Sequence, residues 1–201
     1  ALDLGRAMAS HLDAMTKFDH AVNAAVLLTY VAMQAGDRIG VMAFSDTIET
    51  YLPPGKGPGQ LTQVLEHLYP LQPRRVEADY RLAFSTLAHR QRKRSLIIIF
   101  TDLVDPDSSR HLRTHLRLLH PQHLVLTVAL SDYELHDILG GPPADLSAMY
   151  TQAMATAVLE DRQLALAELH HGGILTIDAT PSDLSVAVVN QYLGIKREGR
   201  V

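Results

Sequence analysis

Cysteine is absent from the 201 residues, which excludes disulfides, zinc-thiolate centres and thiol catalysis. The absence suits a reducing compartment. No apolar run is long enough to span a bilayer: AAVLLTYVAM falls well short of the roughly eighteen residues required. The first residues also lack the charged-then-apolar order of a secretory signal. Basic charge is scarce as a surface feature, with 18 Lys and Arg against 22 Asp and Glu and a formal net charge of −4. Only Arg90, Arg92, Lys93 and Arg94 cluster, which is too little for the broad basic face of a nucleic-acid binder. Internal repeats and low-complexity tracts are missing too.

What is present is a chain that is 47% hydrophobic and 20% charged, enough for one globular domain with a substantial core. The pattern predicts a helix over Lys17–Gln34 with Thr16 as N-cap, apolar on both faces and hence largely buried. RIGVMAFS reads as a strand, and a turn at Asp46 leads into a second, antiparallel strand, IETYL. Helices are expected from Gln60 to Leu68 and from Asp79 to Arg92. Between that helix and the next lies SLIIIFTD, an unbroken β-branched run of the kind found in strands covered on both faces. A helix around Arg110–Leu119, the strand HLVLTVAL and a short helix YELHDIL follow. A long helix from Leu146 to His170, the strand ILTIDA and a helix from Pro181 to Leu193 capped by Thr180 complete the series. Strands separated by helices, with one hairpin, make an α/β fold: a doubly wound, mostly parallel sheet with one antiparallel edge strand. Only Ala1 and Leu2 precede the first turn, where a central strand runs to about five or six residues. The expectation is that residues 1–201 are one domain, the C-terminal part of a longer polypeptide cut within its first strand.

Two carboxylates stand at strand ends on the same expected edge: Asp3, in ALDLGRAM, and Asp102, in IIIFTD. If their strands are neighbours they meet in one crevice, with Asp79 close by. Adjacent carboxylates repel unless a cation or a proton lies between them, so a partner is expected. The alternative is that Asp3 and Asp102 separately cap loop or helix amides. Other candidates are weaker. GKGPG lacks the spacing of a phosphate loop, His111 and His115 lie four apart among Arg110, Arg113 and Arg117, and the hydroxyls of Ser45 and Thr101 have no evident base.

The order of elements, the Asp at the first strand end, GDRIGVMAFS and IIIFTD resemble a von Willebrand factor A-type domain. In more detail, LDLGRAM, FDHAVNAA, GDRIGVMAFS, VEADYRLAF, IIIFTDLVD, HLVLTVAL, MYTQAMATAVLEDR and NQYLGIKREG are similar to the bacterial domain of unknown function 58 family, from Leu2 to about Gly199. A-type domains carry a metal-ion-dependent adhesion site. The resemblance maps its first Asp to Asp3, its two serines to Gly5 and Ala7, its Thr to Ala78 beside Asp79, and its last Asp to Asp102. Three oxygen donors are thereby missing, and Asp3, Asp102 and waters make a poorly organised cage for Mg²⁺. Arg6 stands between the vacated serine positions, where its guanidinium is expected to bridge Asp3 or Asp102, the alternative being a solvent-facing side chain.

The expected function is a non-catalytic protein-interaction module with a degenerate adhesion site and a docking edge around Asp3, Arg6, Ser45, Asp79 and Asp102. The resemblance further implies a cytoplasmic, membrane-tethered adaptor for a MoxR-type AAA+ ATPase. Two rivals stand beside it: an A-type domain that still binds Mg²⁺ through Asp3, Ser45 and Asp102, and a phosphoryl-transfer enzyme with Asp3 as nucleophile.

Overall fold

A computed structural model describes residues 1–12, 14–103, 106–131, 135 and 138–200. Six strands form the main sheet: β1 (Leu2–Asp3), β4 (Ile39–Phe44), β5 (Ile48–Gly55), β6 (Leu96–Thr101), β7 (Leu124–Leu130) and β8 (Leu175–Ala179), in the order β5-β4-β1-β6-β7-β8. All neighbours pair in parallel except β4 and β5, so the expected sheet with one antiparallel edge strand is what forms. The edge strand runs past IETYL to Gly55 and carries Pro53 and Pro54, which an edge tolerates because one side of its ladder is unpaired.

Helices sandwich the sheet on both faces. Those on one face are α1 (Lys17–Gln34), α2 (Gly59–Leu68) and α6 (Pro181–Arg197), whose Phe18, Ala21, Val64, Leu68, Leu184 and Val188 pack on Leu2, Ala43, Phe100 and Val128. The opposite face is covered by α3 (Tyr80–Arg90), α4 (Pro106–Leu116) and α5 (Leu146–His171). There Phe84, Leu87, Leu112, Leu116 and Leu169 meet Met42, Phe44, Ile99 and Val125. Each such large side chain contributes roughly 1.5–3 kcal/mol by leaving water.

Thr16 caps α1 as expected, and does so reciprocally: its hydroxyl accepts from Asp19 N–H while the Asp19 carboxylate accepts from Thr16 N–H. The helix is less buried than its composition suggests, since Leu27 and Tyr30 are exposed. Apolar residues on its outer face simply exceed what the neighbouring helices can cover. Boundaries differ elsewhere as well. α4 begins at Pro106 rather than near Arg110, α3 ends at Arg90, and α6 continues to Arg197. The segment after Asp3 is not a plain loop: it holds a 3₁₀ turn over Arg6–Ala9 and a small ribbon of β2 (His11–Leu12) and β3 (Met15–Thr16). The helix expected over YELHDIL lies largely outside the described residues.

Parallel strands deliver their carboxyl ends to one edge. Asp3 ends β1, Ser45 follows β4 and Asp102 follows β6. Because β1 pairs directly with β6, with Leu2 opposite Phe100, the two carboxylates end neighbouring strands as expected.

Candidate functional site at the carboxyl edge of the sheet

Asp3 is 1% exposed and every bond to it is short. Its Oδ1 accepts the Gly5 N–H at 2.6 Å, and its Oδ2 accepts the hydroxyls of Thr101 at 2.7 Å and Tyr80 at 2.9 Å. Burial pushes its pKa up, the three donors pull it back, and the charge of Asp102 pushes it up again. Tyr80 enters the site from the first turn of α3, its ring fixed by edge-to-face contact with Phe44 at 5.9 Å. Burial and the Asp3 charge drive the Tyr80 pKa well above its ordinary value, so the phenol stays a donor.

Gly5 matters here for space. A Cβ at this position would lie 3.0 Å from Asp3 Oδ1 and 3.2 Å from both Ala78 Cβ and Ala78 N. The turn can bring its amide onto the carboxylate because there is no side chain to accommodate. Two backbone bonds, Arg6 N to Val76 O and Arg74 N to Leu4 O, hold the 69–79 connection against this turn.

Asp102, also 1% exposed, is surrounded by cations. Lys17 Nζ reaches its Oδ2 at 2.6 Å, and Arg162 Nη1 reaches its Oδ1 at 2.7 Å, where the Leu103 N–H also bonds. Arg162 continues to the partly exposed Asp178 through Nε and Nη2, the shortest contact being 2.7 Å. The chain of charges therefore runs Lys17, Asp102, Arg162, Asp178, and joins α1, β6, α5 and β8. Burial alone would lower the Arg162 pKa, but its bonds to Asp178 and the two carboxylate charges raise it. Lys17 and Arg162 are the cations at Asp102, whereas Asp3 is held by the neutral donors of Gly5, Tyr80 and Thr101.

Arg6 is not among them. Its Nε pairs with Glu77 at 2.6 Å, and both side chains are more than 60% exposed. The bridging role expected of Arg6 fails because the turn that carries Gly5 N–H onto Asp3 points position 6 toward solvent. Ser45 is buried but looks the other way: its hydroxyl donates to Glu49 at 2.8 Å with Asp46 2.9 Å away as the alternative acceptor, and Arg74 closes this second cluster by pairing with Glu49 at 2.7 Å. Bonds from Ser45, Arg74 and Thr47 hold the Glu49 carboxyl below its usual range. Asp79 caps α3 by accepting from Leu82 N–H at 2.8 Å. Of the five expected edge residues, Asp3 and Asp102 belong to one buried cluster, Ser45 to another, and Asp79 and Arg6 lie at the rim.

Lys17, Tyr80 and Arg162 escaped the sequence reading, yet two of them leave a signal. Lys17 sits in the first helical turn, where the positive end of the helix dipole disfavours a cation, and in phase with buried Ala21 and Ala24. Arg162 is in phase with buried Ala155, Ala165 and Leu169. A charged residue on a helix's buried stripe announces a buried counter-ion. Among the described residues, no group of three or more His, Cys, Asp or Glu is arranged to hold a metal, and no helix is long and apolar enough to cross a membrane.

A six-stranded, mostly parallel sheet between two helical layers, with an Asp at the end of its central strand and a second Asp beside it, defines a von Willebrand factor A-like fold. The family described as Protein of unknown function DUF58 matches residues 2–141, and this chain belongs to it. Among solved structures, the chain is similar to BatB from Bacteroides thetaiotaomicron, with a TM-score of 0.58 at 12% identity over 98% of this chain and 96% of that one. The SpRpn10 VWA domain aligns with a TM-score of 0.53 at 16% identity, covering 94% and 91% of the two chains. An aerotolerance-related membrane protein from Bacteroides fragilis aligns with a TM-score of 0.53 at 15% identity, covering 94% of each. No curated protein matches the sequence. At these identities the likeness is one of fold.

Proposed function

We propose that this domain is a non-catalytic docking module whose sheet edge binds a protein partner without a bridging metal ion. The observation that carries it is the saturation of the edge carboxylates. Asp3 has its oxygens committed to Gly5, Tyr80 and Thr101, and Asp102 to Lys17, Arg162 and Leu103. An aspartyl nucleophile needs an open line of approach to its substrate, and Asp3 at 1% exposure has none. The Thr101 hydroxyl beside it is fully buried, so its closeness to a carboxylate serves packing, not attack. The donor set does not fit Mg²⁺ either. A dication on Asp102 would face an ammonium and a guanidinium already in contact with it, and Gly5 offers no hydroxyl. The site is in this reading a degenerate adhesion site.

The buried Asp3, Ser45 and Asp102 then shape the edge, and contact falls to the rim: the exposed Arg6–Glu77 pair and Arg74 with Asp46. The partner class is a MoxR-type AAA+ ATPase, as the family resemblance implies, with the domain held at the cytoplasmic side of a membrane by a tether elsewhere in its protein. The membrane description of a structural relative is compatible with that tether. The test is calorimetric titration of the domain with such an ATPase, in EDTA and in Mg²⁺. Equal affinity in both, lost in Arg6→Glu with unchanged thermal stability, is the expected result. Binding that vanishes in EDTA while the ATPase keeps its own nucleotide would overturn the metal-free reading.

A further inference from the structure

We propose that the outer face of α5 is a self-association surface, on which two copies of this chain pair antiparallel about a two-fold axis. The inference goes beyond the docking reading and does not rest on it. α5 contributes Ala165, Leu166 and Leu169 to the core, all of them after Arg162, which reaches Asp102 at the carboxyl edge of the sheet. Among the described residues, the half before Arg162 adds no member to either apolar cluster, although it is about 24 Å long at 1.5 Å per residue. The inner stripe of that half has a neighbour: Ala155 is buried, and Gln152 donates to the carbonyls of Ile138 at 3.0 Å and Gly141 at 2.7 Å. The outer stripe faces solvent. Leu146 is 69% exposed, Met149 55%, Tyr150 70% and Met154 65%. No charged residue occurs from Leu146 to Leu159, where a solvent face is ordinarily charged or polar.

The order of side chains along this stripe points to a second copy as its occupant. Leu146, Tyr150, Ala153 and Ala157 are all exposed and follow one another at steps of four, three and four, the spacing of a coiled-coil seam. Met149 and Met154 flank that seam on its two sides. In an antiparallel pair centred between Thr151 and Gln152, Leu146 of one copy lies over Ala157 of the other, and Tyr150 lies over Ala153. Every layer then sets a large side chain on a small one, which fills the space between the helices without overpacking it. The two-fold also brings Met154 beside its own symmetry mate on one flank, and Met149 on the other. Glu160 and Asp161, the first charges along the helix, fall beyond the paired stretch, so like charges do not meet. A parallel pair would instead oppose Tyr150 to itself, leave two layers of facing alanines and set Glu160 against Glu160. The two copies of Arg162 end up about 30 Å apart along the axis, and each core lies on the inner side of its own helix, away from the seam. The contact covers on the order of 1,000 Å² in total, the lower end for a specific interface, so a reversible dimer of about micromolar affinity is expected.

The experiment is sedimentation equilibrium of the chain from about 5 to 500 μM, a range that brackets micromolar affinity, with circular dichroism as the check on folding. The substituted positions are exposed, so the variants keep the fold. A concentration-dependent monomer–dimer equilibrium is expected. Tyr150→Arg should raise its dissociation constant by at least about tenfold, because the two-fold counts each change twice. The register is tested by adding apolar surface. Ala157→Leu sets a leucine against Leu146 of the other copy and should weaken the dimer, although it makes the stripe more hydrophobic. Leu146→Ala combined with Ala157→Leu exchanges the two sides of that layer and should recover most of the native affinity. A chain that stays monomeric throughout the range would overturn the proposal and leave the stripe to a different protein. So would a dimer indifferent to Tyr150→Arg, since it would pair through another face. A dimer tightened by Ala157→Leu would overturn it as well, by showing plain apolar adhesion in place of this register. None of these outcomes involves an ATPase or a metal ion, so the proposal and the docking reading fail separately.

Discussion

Replacing Asp102 by Asn removes one charge and leaves the shape of the side chain, which makes it the sharpest test of the buried network. In the native fold, Asp102 accepts from Lys17 at 2.6 Å, Arg162 at 2.7 Å and Leu103 N–H at 2.8 Å, and its side chain is fully buried. In Asn one of the two oxygens becomes an NH₂ group, so a donor must face either Lys17 or Arg162. Arg162 retains Asp178, but Lys17 is left as a buried ammonium without a counter-ion. Removing one partner of a buried pair costs about 3–5 kcal/mol. That is a large part of the roughly 5–15 kcal/mol by which domains are stable, and it corresponds to a fall in melting temperature of about 6–20 °C. Urea unfolding followed by circular dichroism measures it, with the slope checked for constancy. Lys17→Met should cost less, because Asp102 then keeps Arg162 and Leu103. The double variant should be more stable than the sum of the two losses implies, since it strands neither charge, with a coupling of about 0.5–3 kcal/mol. A loss below about 1 kcal/mol in Asp102→Asn, the range of an exposed pair, or simple additivity in the double variant, would refute the reasoning.

Other expectations follow from single contacts. Arg6→Ala should change stability by no more than about 0.5 kcal/mol in urea titration, because the Arg6–Glu77 pair is exposed. Gly5→Ser should destabilise by about 1–3 kcal/mol, since its Cβ would press on Asp3 Oδ1 and on Ala78, and calorimetry should show that the serine gains no Mg²⁺ affinity. Tyr80→Phe keeps the ring packing but withdraws one donor from Asp3, at about 1–2 kcal/mol in the same assay. His123 is buried, and burial lowers its pKa against a smaller opposing pull from the Gln91 backbone. The unfolded chain thus binds this proton more readily than the fold. His123 costs nothing above its ordinary value of 6.5 and erodes stability as pH drops through 6.5 toward the lowered folded pKa. Unfolding midpoints at pH 7.5 and 5 should fall less in His123→Leu than in the native domain.

The unbroken run from Leu96 to Thr101 and the alternation of strand with helix were legible because burial on both faces demands continuous apolar character and a helix needs a periodic stripe. The cap at Thr16 was legible for a local reason too, a hydroxyl placed to accept from the first turn. Element ends were less so. α4 starts with Pro106 in a polar stretch, and α6 runs on through Lys196, which is held by Asp37 and the Ala35 carbonyl from across the chain. The end of α6 thus depends on contacts distant in sequence. Asp79, expected near the crevice, instead caps α3, a role that needs only the next three residues.

The sequence by itself determined the layered α/β fold, the strand-end positions of Asp3 and Asp102, and the shortage of oxygen donors around them. These depend on periodicity and residue type along the chain. Only the tertiary structure decided what neutralises the carboxylates. Lys17 lies 85 residues from Asp102 and Arg162 lies 60 away; their phase on a buried helix stripe says that each needs a counter-ion but not which carboxylate supplies it, while Arg6, close to Asp3 in sequence, turns to solvent. Electrostatic partners are chosen by distance in space and by desolvation. Both are set only once α1 and α5 have packed on opposite faces of the sheet.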